Sequence, residues 1–240
     1  MNNLPWMGKV SERTDGVIQK IELLAPARDK RTAFAAIDCG ADAVYIGATS
    51  FGARKKAANS LEDIKEVIDY AHKFWAKVFV TLNTILTDNE LEEAVKLAQK
   101  LSEIKADAII IQDLGLLNRL IELKLPIPIH ISTQCDNSTS EKIKFFNQIG
   151  VSRIVLAREL SLEQIQKIHN ENPDLELEGF VHGALCVSMS GQCYLSQAIG
   201  GRSANRGECA QPCRWKYSLM EETRPGQYFP VYEGDGGTYI

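Results

Sequence analysis

A parallel α/β fold of the (β/α)8-barrel type is the class that this 240-residue sequence predicts. Short β-branched runs alternate with amphipathic helical stretches from Ile21 onward, in units of roughly 20–35 residues. Most of the runs are nearly continuous in apolar residues, as expected of parallel strands covered on both faces. Their C-terminal ends carry polar or small residues, which meet on one face when strands close into a barrel. An open doubly wound sheet would gather its site at a switch point instead.

The strands are expected, in order, at "IELLAPA" from Ile21, "AVYIG" from Ala43, "KVFVTLN" from Lys77 and "DAIIIQD" from Asp107. "IPIHIST" from Ile127, "RIVLARE" from Arg153 and "LELEGFVHG" from Leu175 complete the series. Between them, "SLEDIKEVIDYAHKFW" opens on Ser60 as an N-cap with Asp63 three residues on. "TDNELEEAVKLAQKLSEI" sets Leu91, Val95, Ala98 and Leu101 on one helical face, and "SLEQIQKIHNENP" stops before Pro173. The polar strand ends run from Asn83 and Thr84 through Gln112 and Asp113 to His130, Ser132, Thr133 and Gln134. Arg158, Glu159 and His182 continue them.

Three segments follow from this pattern: an N-terminal extension over 1–19, barrel units one to seven over 20–199, and a Cys/Arg-rich segment that starts a β-rich insertion over 200–240. The seventh unit leaves the barrel short of a strand, so the closing strand is expected beyond Ile240. Hydrophobic residues make up 45% and charged residues 24%, the balance of a globular chain with a proper core. A net charge of -4 provides no global field for nucleic acid or an acidic membrane, so any such binding needs a local patch. No stretch matches a secretory signal or a membrane span, and a cytoplasmic setting with reduced thiols is the expectation.

Four of the six cysteines, Cys186, Cys193, Cys209 and Cys213, fall in one loop-like segment, with six, fifteen and three residues between them. A disulfide pair, a metal or iron–sulfur site, and a thiol nucleophile beside His182 each suit such a cluster. A reducing compartment disfavours the first. The third lacks a GxSxG elbow, an HExxH signature or an evident catalytic partner. Four thiolates complement a tetrahedral zinc or an iron–sulfur cluster, although the spacing matches neither paired CxxC knuckles nor a ferredoxin run. Cys39 reads as a packed core residue, and Cys135, after strand five, as the same.

His130 and His182 end strands and are candidates for binding or acid–base work, against the plainer role of hydrogen-bonded structural histidines. Arg202, Arg206, Arg214 and Lys216, with Arg54, Lys55 and Lys56, form a basic rim suited to RNA phosphate or a small dicarboxylate. A solvated edge that offsets thiolate charge is the alternative.

The stretch "EGFVHGALCVSMSGQCYLS" resembles the signature of the collagenase-like U-32 peptidase family at Glu178, Phe180, Gly183, Ala184, Leu185, Cys186, Gly191, Cys193, Leu195 and Ser196. "GADAVYIG", "FGAR", "QDLG", "HISTQ" and "NRGECAQPCRWKY" extend the resemblance over roughly residues 20–240. It implies an incomplete TIM-type barrel and, in the RNA-hydroxylating branches, a 4Fe–4S cluster on Cys186, Cys193, Cys209 and Cys213, with zinc as the alternative. It further implies prephenate-dependent formation of 5-hydroxyuridine at a tRNA wobble position. Ribosomal RNA or quinone hydroxylation, peptidase action and a non-catalytic scaffold are the rivals. On that reading His130, Gln134, Glu159 and His182 are the candidates for positioning and proton transfer. Arg54, Arg158, Arg202 and Arg206 are the candidates for holding a dicarboxylate. No membrane partner is expected.

Overall fold

The computed structural model describes residues 21–52, 59–229, 232–234 and 237–239. The expected extension over 1–19 lies outside them, as do Arg54, Lys55 and Lys56. Among the described residues, seven parallel strands follow one another in chain order in a single curled half-barrel. They are β1 (Leu24–Ala27), β2 (Ala43–Gly47), β3 (Lys77–Leu82), β4 (Ala108–Ile111), β5 (Ile129–Ile131), β6 (Arg153–Val155) and β7 (Glu176–Glu178). The connecting helices are α1 (Lys30–Asp38), α2 (Leu61–His72), α3 (Asp88–Glu103), α4 (Leu114–Glu122), α5 (Ser140–Gln148) and α6 (Leu162–Glu171). Such strictly sequential parallel pairing requires every crossover to have the same hand, which places the helices on one face.

Alternation along each strand separates two faces. Val44, Ile46, Val78, Val80, Leu82, Ile109, Ile111, Ile131 and Ile154 point outward into the main core beneath the helices. The intervening residues point inward, where Ala43, Phe79, Ala108 and Ile110 form a second, smaller cluster beside Leu24 and Tyr45. Helix starts are fixed locally. Asp29, Ser60, Asp113 and Ser161 accept from the backbone N–H of Thr32, Asp63, Leu116 and Gln164. Asp113 also accepts from Leu86 N at 3.1 Å, so this strand-end carboxylate braces the β3–α3 loop.

Strands five and seven are shorter than their apolar runs suggest. Pairing stops when the neighbour stops: β6 ends at Val155, opposite Glu178, and the chain leaves the sheet at Gly179. Phe180 and Val181 are then 52% and 92% exposed, and His182 is a loop residue rather than a strand end. Beyond β5, Ser132 turns the chain into a 3-10 helix at Thr133–Cys135, which leaves His130 in mid-strand.

The segment after β7 carries one short helix, α7 (Leu195–Gly200), and single 3-10 turns at Ala204–Arg206 and Pro212–Arg214. Two antiparallel pairs follow, β8 (Leu219–Met220) with β9 (Tyr228–Phe229), and β10 (Tyr232–Gly234) with β11 (Gly237–Tyr239). Among the described residues no helix is long and apolar enough to cross a membrane.

Candidate active site

Beside its small apolar cluster, the inner face of the half-barrel carries a group of charges. Arg153, the first residue of β6, has an 8% exposed side chain that bonds Glu22 Oε1 at 2.6 Å and Glu176 Oε2 at 2.5 Å. Its guanidinium also lies 5.0 Å from the Phe79 ring centroid and 3.6 Å from Glu178 Oε2. Lys77 joins Glu22 at 3.0 Å. The Arg153 contact alone would lower the Glu178 pKa, yet burial outweighs it and pushes this carboxyl up to about 7. The guanidinium is shared with two closer carboxylates, which explains why its pull on Glu178 is too weak to win.

His130 stands edge-on to Phe79, with ring centroids 4.7 Å apart. It is 3% exposed, and burial, with the Arg153 charge, pushes its pKa down to about 3. The imidazole is therefore neutral at any physiological pH.

At the C-terminal mouth, side chains from successive strands interlock. Gln134 Nε2 donates to Asn83 O at 3.3 Å, Asn83 Nδ2 donates to Ser132 Oγ at 3.4 Å, and Gln112 Nε2 donates to Gln134 O at 3.4 Å. Cys135 sits below this network with its thiol on Gln112 O, and burial pushes it up to about 12, which removes it as a nucleophile.

The cysteine segment docks on this mouth at two places. The first is Ser190, which is fully buried. Its N–H and hydroxyl both go to the Glu159 carboxylate, at 2.6 and 3.1 Å, while its Oγ meets Thr133 Oγ1 at 3.3 Å and accepts from Arg158 N at 3.4 Å. Next to it, Gly191 has φ +79° and packs so closely that a Cβ would lie 1.8 Å from Gln134 O. Only glycine permits that approach. The second anchor is the "NR" pair at 205–206. Ile85 N donates to Asn205 O, and Arg206 holds Glu90 at 2.6 and 3.0 Å and Ile85 O at 3.0 Å. The Arg206 pairing holds the Glu90 carboxyl down at about 2. Arg206, Glu90 and Glu93 edge a cavity of about 230 Å³ with Thr49, Ser50, Phe51 and Thr84.

Within the segment, Arg214 Nη2 donates to Leu185 O at 3.2 Å and Ala210 N donates to Ser196 Oγ at 2.9 Å. These bonds lay the 209–214 stretch along the 185–196 stretch, so residues adjacent to Cys213 and Cys186 touch, while Ala210, beside Cys209, meets Ser196, three residues beyond Cys193. All four thiols are free. As a donor set, four soft thiolates on one doubly anchored loop fit an iron–sulfur cluster or zinc. The sulfurs have not closed on a common point: among the described residues no three His, Cys, Asp or Glu side chains are gathered as a metal centre.

The predicted site residues thus separate. Gln134 and Glu159 lie at the mouth, tied respectively to the strand ends and to Ser190. Arg158 is beside them, with one weak bond to Ser188 O at 3.4 Å and a buried Nε that has no partner. His130 lies deeper, and His182 is exposed in the loop. Arg206 is engaged by Glu90, and Arg202 donates to Glu208 O at 3.0 Å within its own loop. Arg54 lies outside the described residues. Sequence reasoning passed over Ser190, Arg153 and the side-chain role of Glu178. A signal for the last two existed: charged residues at inward positions of buried parallel strands are uncommon unless paired.

A model of peptidase family U32 matches residues 28–240. The chain is 55% identical over 204 residues to a 23S rRNA 5-hydroxycytidine synthase of Escherichia coli strain K12, covering 85% of this chain and 30% of that protein. It is 38% identical over 227 residues to a tRNA hydroxylation protein P of Helicobacter pylori strain J99, covering 93% of this chain and 54% of that one. The chain therefore spans about a third to a half of the length of these relatives. A solved U32 peptidase structure aligns with a TM-score of 0.56 at 15% identity, over 72% of this chain and 73% of that chain, and confirms the fold. By the extent of the family match and the identity of its relatives, this chain belongs to peptidase family U32.

Proposed function

We propose that this protein takes part in the 5-hydroxylation of a pyrimidine base in RNA, with the cysteine segment as ligand to an iron–sulfur cluster. The observation that carries the reading is the docking of a four-thiol segment, through Ser190 and Arg206, onto the mouth of a polar-walled barrel. A peptidase needs a nucleophile with a base or a metal-activated water, and among the described residues no thiol is hydrogen-bonded to a histidine. The two relatives named for RNA hydroxylation support the same reading.

When bound, such a cluster would supply redox or Lewis-acid chemistry at the mouth. Cys186, Cys193, Cys209 and Cys213 are the residues that would hold it. Glu159 and Ser190 fix the loop that carries the first two. Arg158 is the group best able to hold the carboxylate of an oxygen-donating co-substrate, since its buried Nε has no protein partner. The 55% identity to a ribosomal cytidine enzyme favours ribosomal RNA as the substrate. Transfer RNA is the second substrate reading, favoured by the 38% identity to a tRNA hydroxylation protein, with uridine as the base and prephenate as co-substrate carried over as part of that proposal.

Nucleoside mass spectrometry of ribosomal and transfer RNA from a deletion strain tests the proposal. Loss of 5-hydroxycytidine, restored by the wild-type gene and not by Cys186→Ala, is the expected result, and loss of 5-hydroxyuridine selects the second reading. Unchanged levels of both nucleosides sink the proposal. Iron and sulfide analysis after anaerobic purification tests the cofactor, and a colourless protein with stoichiometric zinc overturns it.

A further inference from the structure

Among the described residues, three buried side-chain atoms on the inner face of the half-barrel have no hydrogen-bond partner: Gln112 Oε1, His130 Nδ1 and Glu178 Oε2. They come from the ends or middles of three strands, β4, β5 and β7. Gln112 and His130 are 9% and 3% exposed. Gln112 follows Ala108 and Ile110 of the inner cluster in strand alternation, His130 packs on Phe79 of that cluster, and Glu178 reaches Arg153 in front of Phe79. All three therefore face the barrel interior. Each buried atom without a partner opposes folding, and several on one wall indicate that something else fills their hydrogen-bonding capacity.

We propose that Gln112, His130 and Glu178 form a subsite for the hydrogen-bonding edge of a planar, N–H-bearing ring, a pyrimidine base, and not for an anion. The atoms on offer are acceptors. The Gln112 amide nitrogen is engaged with Gln134 O, which leaves Oε1 as the group without a partner. A carboxylate oxygen accepts, and a neutral imidazole nitrogen can accept. The exocyclic amino group of cytosine, or the ring imide of uracil, supplies the matching donor. The charge inventory argues against an anion. Around Arg153 of β6, which Glu178 meets at 3.6 Å, stand Glu22 before β1, Glu176 from β7 and the neutral His130 from β5, with Lys77 from β3 on Glu22. Arg153 already holds Glu22 and Glu176, and Lys77 holds Glu22. With Glu178 ionised, three carboxylates face two cations, and an incoming carboxylate meets repulsion.

The inference rests on the RNA reading and divides the site into two compartments. The base enters the interior, which requires it to be single-stranded or flipped out of its stack, while an anionic co-substrate stays at the mouth near Arg158. Burial that brings Glu178 up to about 7 makes the subsite pH-sensitive: ionisation of the carboxyl completes the acceptor set.

Fluorescence anisotropy with short single-stranded oligoribonucleotides tests the subsite on the as-purified protein. The central position is cytidine, uridine or abasic, flanked by purines. Wild-type protein is expected to bind a pyrimidine-containing strand about tenfold more tightly than the abasic strand, the scale of a lost hydrogen bond to a charged group. Glu178→Gln and Gln112→Met, each verified as folded by thermal melting, should abolish that difference, and malonate up to millimolar levels should leave it intact in wild type. A pyrimidine preference that survives both substitutions, or that malonate removes competitively, overturns the subsite. So does its absence in wild type, which assigns the three atoms to water. The outcome separates from the RNA reading: hydroxylated nucleosides made normally by Glu178→Gln cells sink the subsite alone. A pyrimidine preference without any change in the deletion strain's nucleosides sinks the RNA reading.

Discussion

In the barrel wall, Leu82, Ile109 and Ile131 are at most 1% exposed, enclosed between sheet and helices. In the cysteine segment Val181, Leu185 and Val187 are 92%, 68% and 77% exposed, and regular structure is limited to one short helix and two 3-10 turns. The wall is held by burial spread over many residues. The segment is held by a few polar contacts, at Ser190 and Gly191 on one side and Asn205 and Arg206 on the other. The wall should therefore respond to damage as a whole, while the segment should come loose at its latches and leave the barrel folded.

The largest effect that tests this difference is expected from Leu82→Ala, which empties a fully buried site and should cost about 2–5 kcal/mol in urea unfolding. A cost below about 1 kcal/mol would mean that the wall, too, is locally held. Arg153→Met leaves Glu22 and Glu178 without their shared cation inside the barrel, at about 3 kcal/mol. Adding Glu178→Gln should recover part of that loss.

The pH dependence gives the next largest effect. Between pH 4.5 and about 7 the folded chain keeps a proton on Glu178 that the unfolded chain has released. Stability contributed there is present at low pH and declines as pH rises through that window, by up to about 3 kcal/mol. His130 acts in the opposite sense. It stays neutral in the fold down to about 3, so acidification below 6.5 favours the unfolded chain. The two slopes oppose each other between 4.5 and 6.5. Glu178→Gln should therefore steepen the loss of stability on acidification, which denaturation midpoints at pH 5 and pH 7 would reveal.

Ser190→Ala removes the hydroxyl bonds to Glu159 and Thr133 and should lower global stability by only about 1 kcal/mol. Mass-spectrometric thiol labelling of the cluster-free protein should nevertheless accelerate at Cys186 and Cys193. An equal acceleration at Cys135, which is half-buried against the core of the wall, would erase the contrast between the regions. The smallest effect belongs to Lys65→Ala, which breaks an exposed pair with Asp69 within α2 and should leave the urea unfolding midpoint unchanged within error.

Most of the wall was legible in the sequence. Continuous apolar runs such as "KVFV" and "AIII" mark strands covered on both sides, and Ser60 marks a helix start, because a cap is a contact within three residues. Strand ends were less legible. "LELEGFVHG" reads as extended throughout, yet β7 lasts only as long as β6 pairs with it. The mouth was half legible. Polar strand ends identified Gln134, Glu159 and Arg158, and nothing local distinguished Arg158, with an unpartnered nitrogen, from Arg206, held by Glu90.

By itself, the sequence determined the order of elements, the polar ends of the strands and the gathering of four thiols in one loop, since periodicity and composition are written in neighbouring residues. Tertiary structure decided which distant groups meet. Glu159 finds Ser190 31 residues away, Glu90 finds Arg206 116 residues away, and Arg153 finds Glu22 131 residues away. Those meetings depend on the register and curl of the whole sheet. The same curl leaves Gln112, His130 and Glu178 facing one interior with unfilled hydrogen bonds.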